Sequence, residues 1–139
     1  MEVRPTTRRV RKFGAPPRRI VIADDSASLR TTIRLLLSTT DGPEIVEAAN
    51  GFEALRILDD GGADLLICDL AMPGLDGRKL NQILATRIDR PDVVVMSGSR
   101  PTHEEAWAHD SIIGWLEKPF EADDLLALVF PTRARQTAS

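Results

Sequence analysis

Apolar residues fall along this chain in two alternating rhythms. Ile20–Ala23 is a short continuous apolar run, the mark of a strand buried on both faces. Leu29, Ile33, Leu36 and Leu37 then recur at helical spacing, which puts them on one side of a helix. Asp41-Gly42-Pro43 stops that helix, and Glu44–Ala49 reads as a second strand. Asn50 is placed to cap a second helix whose inner side holds Ala54, Leu55 and Leu58, and Gly61-Gly62 ends it. Ala63–Leu70 predicts a third strand. The loop Met72–Gly77 follows, and Leu80, Ile83, Leu84 and Ile88 mark a third helix. Asp92–Ser97 is a Val-rich fourth strand, expected in the sheet interior. Thr102–Asp110 predicts a fourth, weakly patterned helix, and Ile113–Glu117 a fifth strand. Leu125, Leu128 and Val129 form the inner stripe of a last helix that Pro131 closes. Strands alternating with helices through short connections predict an α/β fold, a parallel sheet covered on both faces.

The charge balance refines this single-domain picture. The chain has 139 residues and a net charge of −3. Residues 1–19 hold seven basic groups against Glu2, a charge of +6, and the remainder carries −9. The chain therefore divides into a basic arm (1–18), one domain (19–131) and a polar tail (132–139). One cysteine, Cys68, excludes an internal disulfide and a Cys-based zinc site. No apolar run approaches the roughly 18 residues of a membrane span. The arm has no apolar signal stretch, and Pro5, Pro16 and Pro17 break any long amphipathic helix, so a cytoplasmic location is expected.

In open α/β sheets, ligands bind beyond the carboxyl ends of the strands. Strand 1 ends at Asp24-Asp25, strand 3 at Asp69, strand 4 at Ser97 and strand 5 at Lys118-Pro119. One polar residue leaving a strand is ordinary; five on one sheet edge suggest a site. Three adjacent carboxylates repel unless a cation sits among them. A hard oxygen cluster with few protein ligands suits Mg²⁺, with Mn²⁺ as a substitute, and leaves room for phosphate oxygens. The absence of a Gly-x₄-Gly-Lys-Ser/Thr loop excludes a P-loop nucleoside triphosphatase. A carboxylate can itself be the nucleophile in such chemistry.

Four segments carry a resemblance. They are Ile-Val-Ile-Ala-Asp24-Asp25-Ser, Cys-Asp69-Leu-Ala-Met-Pro73-Gly-Leu-Asp-Gly77, Val-Val-Val-Met-Ser97-Gly and Trp115-Leu-Glu-Lys118-Pro119-Phe120. With successive spacings of 44 residues from Asp25 to Asp69, 28 from Asp69 to Ser97 and 21 from Ser97 to Lys118, they resemble the response-regulator receiver domain of two-component signalling. The likeness covers Arg19 to about Phe130. It implies a doubly wound, flavodoxin-like sheet of order 2-1-3-4-5. It implies that Asp69 is the phosphoacceptor and that Asp24 and Asp25 hold Mg²⁺ together with Asp69 and the backbone carbonyl of Ala71. By the same likeness Ser97 contacts the phosphoryl oxygens, Lys118 pairs with Asp69, and the Lys118–Pro119 bond is cis. Ser97 and Trp115 form the switch. The donor is a sensor histidine kinase or a histidine phosphotransfer protein. The output is an effector protein docking on the face formed by the fourth helix, fifth strand and fifth helix. Such a chain is not an enzyme in its own right, although it assists its own phosphorylation and dephosphorylation.

Some positions depart from the family pattern. Trp115 stands where Tyr or Phe is usual, Ala71 where many relatives carry a larger side chain, and Gly98 where Ala is common. Asp76 reads as a cap residue, Cys68 as a small core hydrophobe on the face opposite Asp69, and His103 and His109 as surface histidines. Trp107 reads as half-buried packing. With only nine residues after the last helix, a stand-alone switch is expected. The alternatives are a non-phosphorylated pseudo-receiver scaffold, an Asp-nucleophile phosphatase (which Ala71 disfavours, since it leaves no general acid), and a nucleic-acid-binding role for the basic arm, disfavoured by the lack of a DNA-binding motif.

Overall fold

A computed structural model describes residues 16–38, 42–99 and 107–131. The elements run β1 (Arg19–Ala23), α1 (Ala27–Leu37), β2 (Glu44–Ala48), α2 (Gly51–Gly61), β3 (Leu65–Asp69), α3 (Gly77–Ala85), β4 (Asp92–Ser97), β5 (Ile112–Glu117) and α4 (Ala122–Val129). All strands pair in parallel, in the order β2-β1-β3-β4-β5, as expected.

Alternation along each strand sorts the core into two layers. Ile20, Ile22, Leu65, Ile67, Val94 and Met96 point to the side covered by α1 and α4, where Ile33, Leu37, Leu125 and Val129 meet them. Val21, Ala23, Leu66, Cys68, Val93 and Val95 point to the other side, against Ala54, Leu58, Leu80 and Leu84 of α2 and α3. β3 is buried at every position because it lies mid-sheet with helices on both faces.

Local chemistry sets the helix starts. Ser26, Asn50 and Asp76 each accept a backbone N–H two or three residues into α1, α2 and α3, from Leu29, Glu53 and Lys79. α2 ends at Gly62, whose φ of 69° lies in the left-handed region that glycine alone enters without strain.

Three expectations change. α3 stops at Ala85, so Ile88 lies outside it and is 60% exposed rather than on an inner stripe. β5 begins at Ile112. Val93 pairs with Ile112 and Val94 with Gly114, so Ile113 is the extra residue of a bulge. Of the helix predicted over Thr102–Asp110, residues 102–106 lie outside the described residues, and Trp107–Asp110 are turn and irregular backbone. Most of the arm, the tail and His103 also lie outside the described residues. No helix among the described residues is long and apolar enough to cross a membrane.

Candidate functional site

The carboxyl ends of β1 and β3 bring three acids together. Asp24, Asp25 and Asp69 each place a carboxylate oxygen within 4.8 Å of the others. Their surroundings differ. Asp24 is completely buried, Asp69 is 5% exposed, and Asp25 faces solvent at the start of the loop into α1.

Asp24 is held from two sides. Its Oδ1 accepts the N–H of Ser26 at 2.8 Å, and its backbone carbonyl accepts Arg30 Nη1 at 2.6 Å. Arg30 also donates to Glu47 on β2, so a cationic brace lies behind the acids. Asp69 leaves β3 one position before Leu70, and its Oδ1 accepts the N–H of Ala71 at 3.2 Å. Burial pushes the Asp69 carboxyl above its ordinary range. The hydrogen bonds from Lys118 and Ala71 oppose that rise.

Lys118 follows β5. Its Nζ lies 2.7 Å from Asp24 Oδ2 and 3.0 Å from Asp69 Oδ2. The expectation of a pair with Asp69 alone is therefore widened: the ammonium bridges both buried acids, and Asp24 is the nearer partner. Burial works against the lysine's charge, but the hydrogen bonds to Asp24 and Asp69 outweigh it and raise its pKa. The backbone fixes the bridge in place. Lys118 N–H donates to Ser97 carbonyl at 2.7 Å, and the Lys118–Pro119 bond is cis, as expected.

Ser97 ends β4, buried, one position past the Met96 that pairs with Asp69. Its Oγ accepts the N–H of Ser99 at 3.2 Å. Ala71 is exposed beside the acids. Trp115 lies on β5 opposite Val95, and its ring meets Trp107 at a centroid distance of 5.2 Å and a 59° tilt. Trp107 is buried, not half-buried, and fills the core layer on the α2–α3 side.

Cys68 sits in that same layer on the face opposite Asp69, as expected. Burial, then the charges of Asp69, Asp24 and Asp76, push its thiol far above the ordinary range, so it remains protonated. Sequence reasoning missed His109, which is not a free surface histidine. Its Nε2 lies 2.8 Å from Oδ1 of the fully buried Asn81, and its Nδ1 accepts the Ser111 N–H. Because Nδ1 accepts, Nε2 carries the proton, and the ring ties α3 to the start of β5. Nothing in the spacing of the two residues, 28 apart, announced that bond.

Chemically, the site is a ring of hard oxygens closed on one side by an ammonium. Asp69 combines burial, a neighbouring cation and an accessible edge at Ala71, which is what an attacking carboxylate requires. The acid set fits a small divalent cation of the Mg²⁺ kind, since all three groups offer oxygen ligands at compatible separations.

The sequence matches the response regulator receiver domain family over residues 20–130. The protein-glutamate methylesterase/protein-glutamine glutaminase 5 of Myxococcus xanthus is 40% identical over 93 residues, which are 66% of this chain and 27% of that protein. Transcriptional regulatory protein PdtaR of Mycobacterium tuberculosis is 34% identical over 116 residues, 83% of this chain and 56% of the relative. This chain thus spans between about a quarter and just over half the length of these curated relatives. The receiver domain of the Francisella response regulator 1452 superposes with a TM-score of 0.72 at 25% identity, covering 88% of this chain and 99% of that one.

Proposed function

Because the chain belongs to the response-regulator receiver family, we propose that Asp69 accepts a phosphoryl group from a phosphohistidine donor and that the phosphorylated form controls a partner protein. The observation that carries this reading is the position of Asp69. It is a nearly buried carboxylate at the end of the mid-sheet strand, 3.0 Å from the Lys118 ammonium and grouped with two further acids. The receiver unit is taken as residues 19–131, flanked by the arm (1–18) and the tail (132–139).

In the proposed reaction an oxygen of Asp69 attacks phosphorus. The P–N bond to the donor imidazole breaks, and the imidazole keeps the electron pair. Asp24, Asp25, Asp69 and the Ala71 carbonyl are the groups that would hold Mg²⁺, which when bound supplies positive charge to the phosphoryl oxygens. Lys118 supplies a second positive charge and leaves its bridge to follow the new dianion. Asp24 then keeps its contact with the Ser26 N–H. Ser97 is assigned the hydrogen bond to a phosphoryl oxygen, and Trp115 the movement that follows Ser97 inward. Ala71 presents only a methyl group, so nothing there shields the acyl phosphate from water, and hydrolysis resets the switch. A sensor histidine kinase or histidine phosphotransfer protein is the donor class. The β5–α4 face is assigned to the effector.

The test is intact-protein mass after exposure to a small phosphodonor with Mg²⁺. One phosphoryl group should be gained, and none in Asp69→Asn or after chelation of the metal. A phosphoryl gain retained by Asp69→Asn would sink the assignment.

A further inference from the structure

Asn81 lies on the second turn of α3, with none of its surface exposed. A buried amide needs partners for both its oxygen and its nitrogen. Asn81 Nδ2 donates back to the Gly77 carbonyl at 2.8 Å, four residues earlier. Its Oδ1 accepts the Nε2 proton of His109, also at 2.8 Å.

His109 is anchored on the sheet. Its Nδ1 accepts the Ser111 N–H, and the carbonyl of fully buried Ser111 accepts the Val93 N–H of β4 at 2.8 Å. Arg90, beyond the far end of α3, pins the same segment. It donates to Ser111 Oγ at 2.8 Å and to the Arg87 carbonyl at 2.6 Å. The imidazole therefore holds a fixed position against which α3 is set.

From Asn81 the bonds run on to the acids. Gly77 donates its N–H to the Leu70 carbonyl at 3.0 Å. Leu70 stands between Asp69 and Ala71, and the Ala71 N–H holds Asp69 Oδ1 at 3.2 Å. A shift of Gly77 thus moves the donor that orients the Asp69 carboxylate. We infer that Asn81 and His109 are positioning residues for phosphoryl acceptance, which seat the first turn of α3 against Leu70 and so aim Asp69 at the incoming phosphorus. Neither touches the reacting atoms. This role presupposes the Asp69 acceptor proposed above. A misplacement of about 1 Å can cost a reaction about 10²-fold. Loosening the seat of α3 by less should slow phosphoryl gain about tenfold.

The experiment uses the full chain, a small phosphodonor and saturating Mg²⁺, at a temperature well below every Tm. Asn81→Ala and His109→Ala should each gain the phosphoryl group about tenfold more slowly than the parent. In both, hydrogen exchange at the Gly77 amide should quicken. His109→Ala breaks the same relay from a half-buried position and serves where Asn81→Ala does not fold. His109→Gln, which still presents an N–H, should stay close to the parent rate. Leu37→Val, a small cavity in the other core layer, should lower Tm and leave the rate unchanged. Parent-like rates or unchanged Gly77 exchange in the two Ala variants overturn the role. So does a His109→Gln as slow as His109→Ala, or a Leu37→Val slowed as much as Asn81→Ala. A parent that gains no phosphoryl group sinks the Asp69 assignment and this role with it, whereas a parent that gains it no faster than Asn81→Ala sinks this role alone.

Discussion

A single lysine governs the electrostatics at the carboxyl end of the sheet. Lys118 offsets two acids at once, and Asp24 has no exposed surface through which water could compensate for its loss. Lys118→Ala therefore leaves an unpaired buried carboxylate. Fully buried pairs lose about 3–5 kcal/mol on such a change. Here about 1–3 kcal/mol is expected, because the lysine side chain is 26% exposed and its charge is partly screened. Urea unfolding should register this loss, and added Mg²⁺ should recover part of it by replacing the missing positive charge. A variant equally unstable with and without Mg²⁺ would argue against cation binding at the acids. The gathering of Asp24, Asp25, Asp69, Ser97 and Lys118 was legible in the sequence because each lies at or just past the end of a strand, and parallel strands deliver their ends to one edge. The sharing of Lys118 was not legible, since it depends on side-chain distances that no spacing encodes.

Among the helices, α3 starts hard against the carboxyl end of β3. Its first residue, Gly77, donates its N–H to Leu70 carbonyl at 3.0 Å, and a Cβ there would fall 2.2 Å from Asp69 carbonyl oxygen. That obstacle is backbone, so it cannot rotate away. Gly77→Ala should push the start of α3 off the end of β3. The expected outcome is a lower rate of phosphoryl gain from a small phosphodonor together with a reduced Tm, whereas Arg78→Ala, on the exposed face of the same turn, should change neither. Element legibility followed the strength of local patterning. β4, uniformly apolar and bounded by polar residues, runs over the predicted Asp92–Ser97. α3 was predicted too long because Ile88 keeps helical spacing, yet the chain leaves the helix at Thr86, whose hydroxyl and N–H both bond the Ile83 carbonyl. His109 was misread because its partner Asn81 is remote in sequence, and Trp107 because the segment that carries it is irregular backbone with no apolar period to mark its inner side.

Across the whole molecule, acid stability rests partly on a clamp between β2 and α1, behind the site acids. Glu47 of β2 accepts from both Arg34 and Arg30 of α1. The hydrogen bond from Arg34, helped by that from Arg30 and opposed by burial, holds its carboxyl below the ordinary 4.5. A carboxylate depressed in the folded state favours folding above its unfolded pKa, and that favour is lost as the pH falls through the lower folded value. The clamp therefore contributes fully above pH 4.5 and fades below it. Thermal unfolding followed from neutrality into that range should show Tm falling less steeply in Glu47→Gln than in the parent, from a lower starting value. Parallel slopes would remove Glu47 from the acid response. The division of charge between an acidic domain and a basic arm was plain from composition. Which acids are structural, as Glu47 is, and which gather at the strand ends became clear only with the fold.

The chain has two tryptophans and no tyrosine, and its indoles meet in a tilted pair on one side of the sheet. Two chromophores that close and obliquely set couple their electronic transitions. Near-ultraviolet circular dichroism of this protein should thus be dominated by one contact, between the strand that bears the proposed switch residue and the segment leading into it. Any rotation of Trp115 changes that signal without a label or a substitution, so the molecule carries its own optical gauge of state.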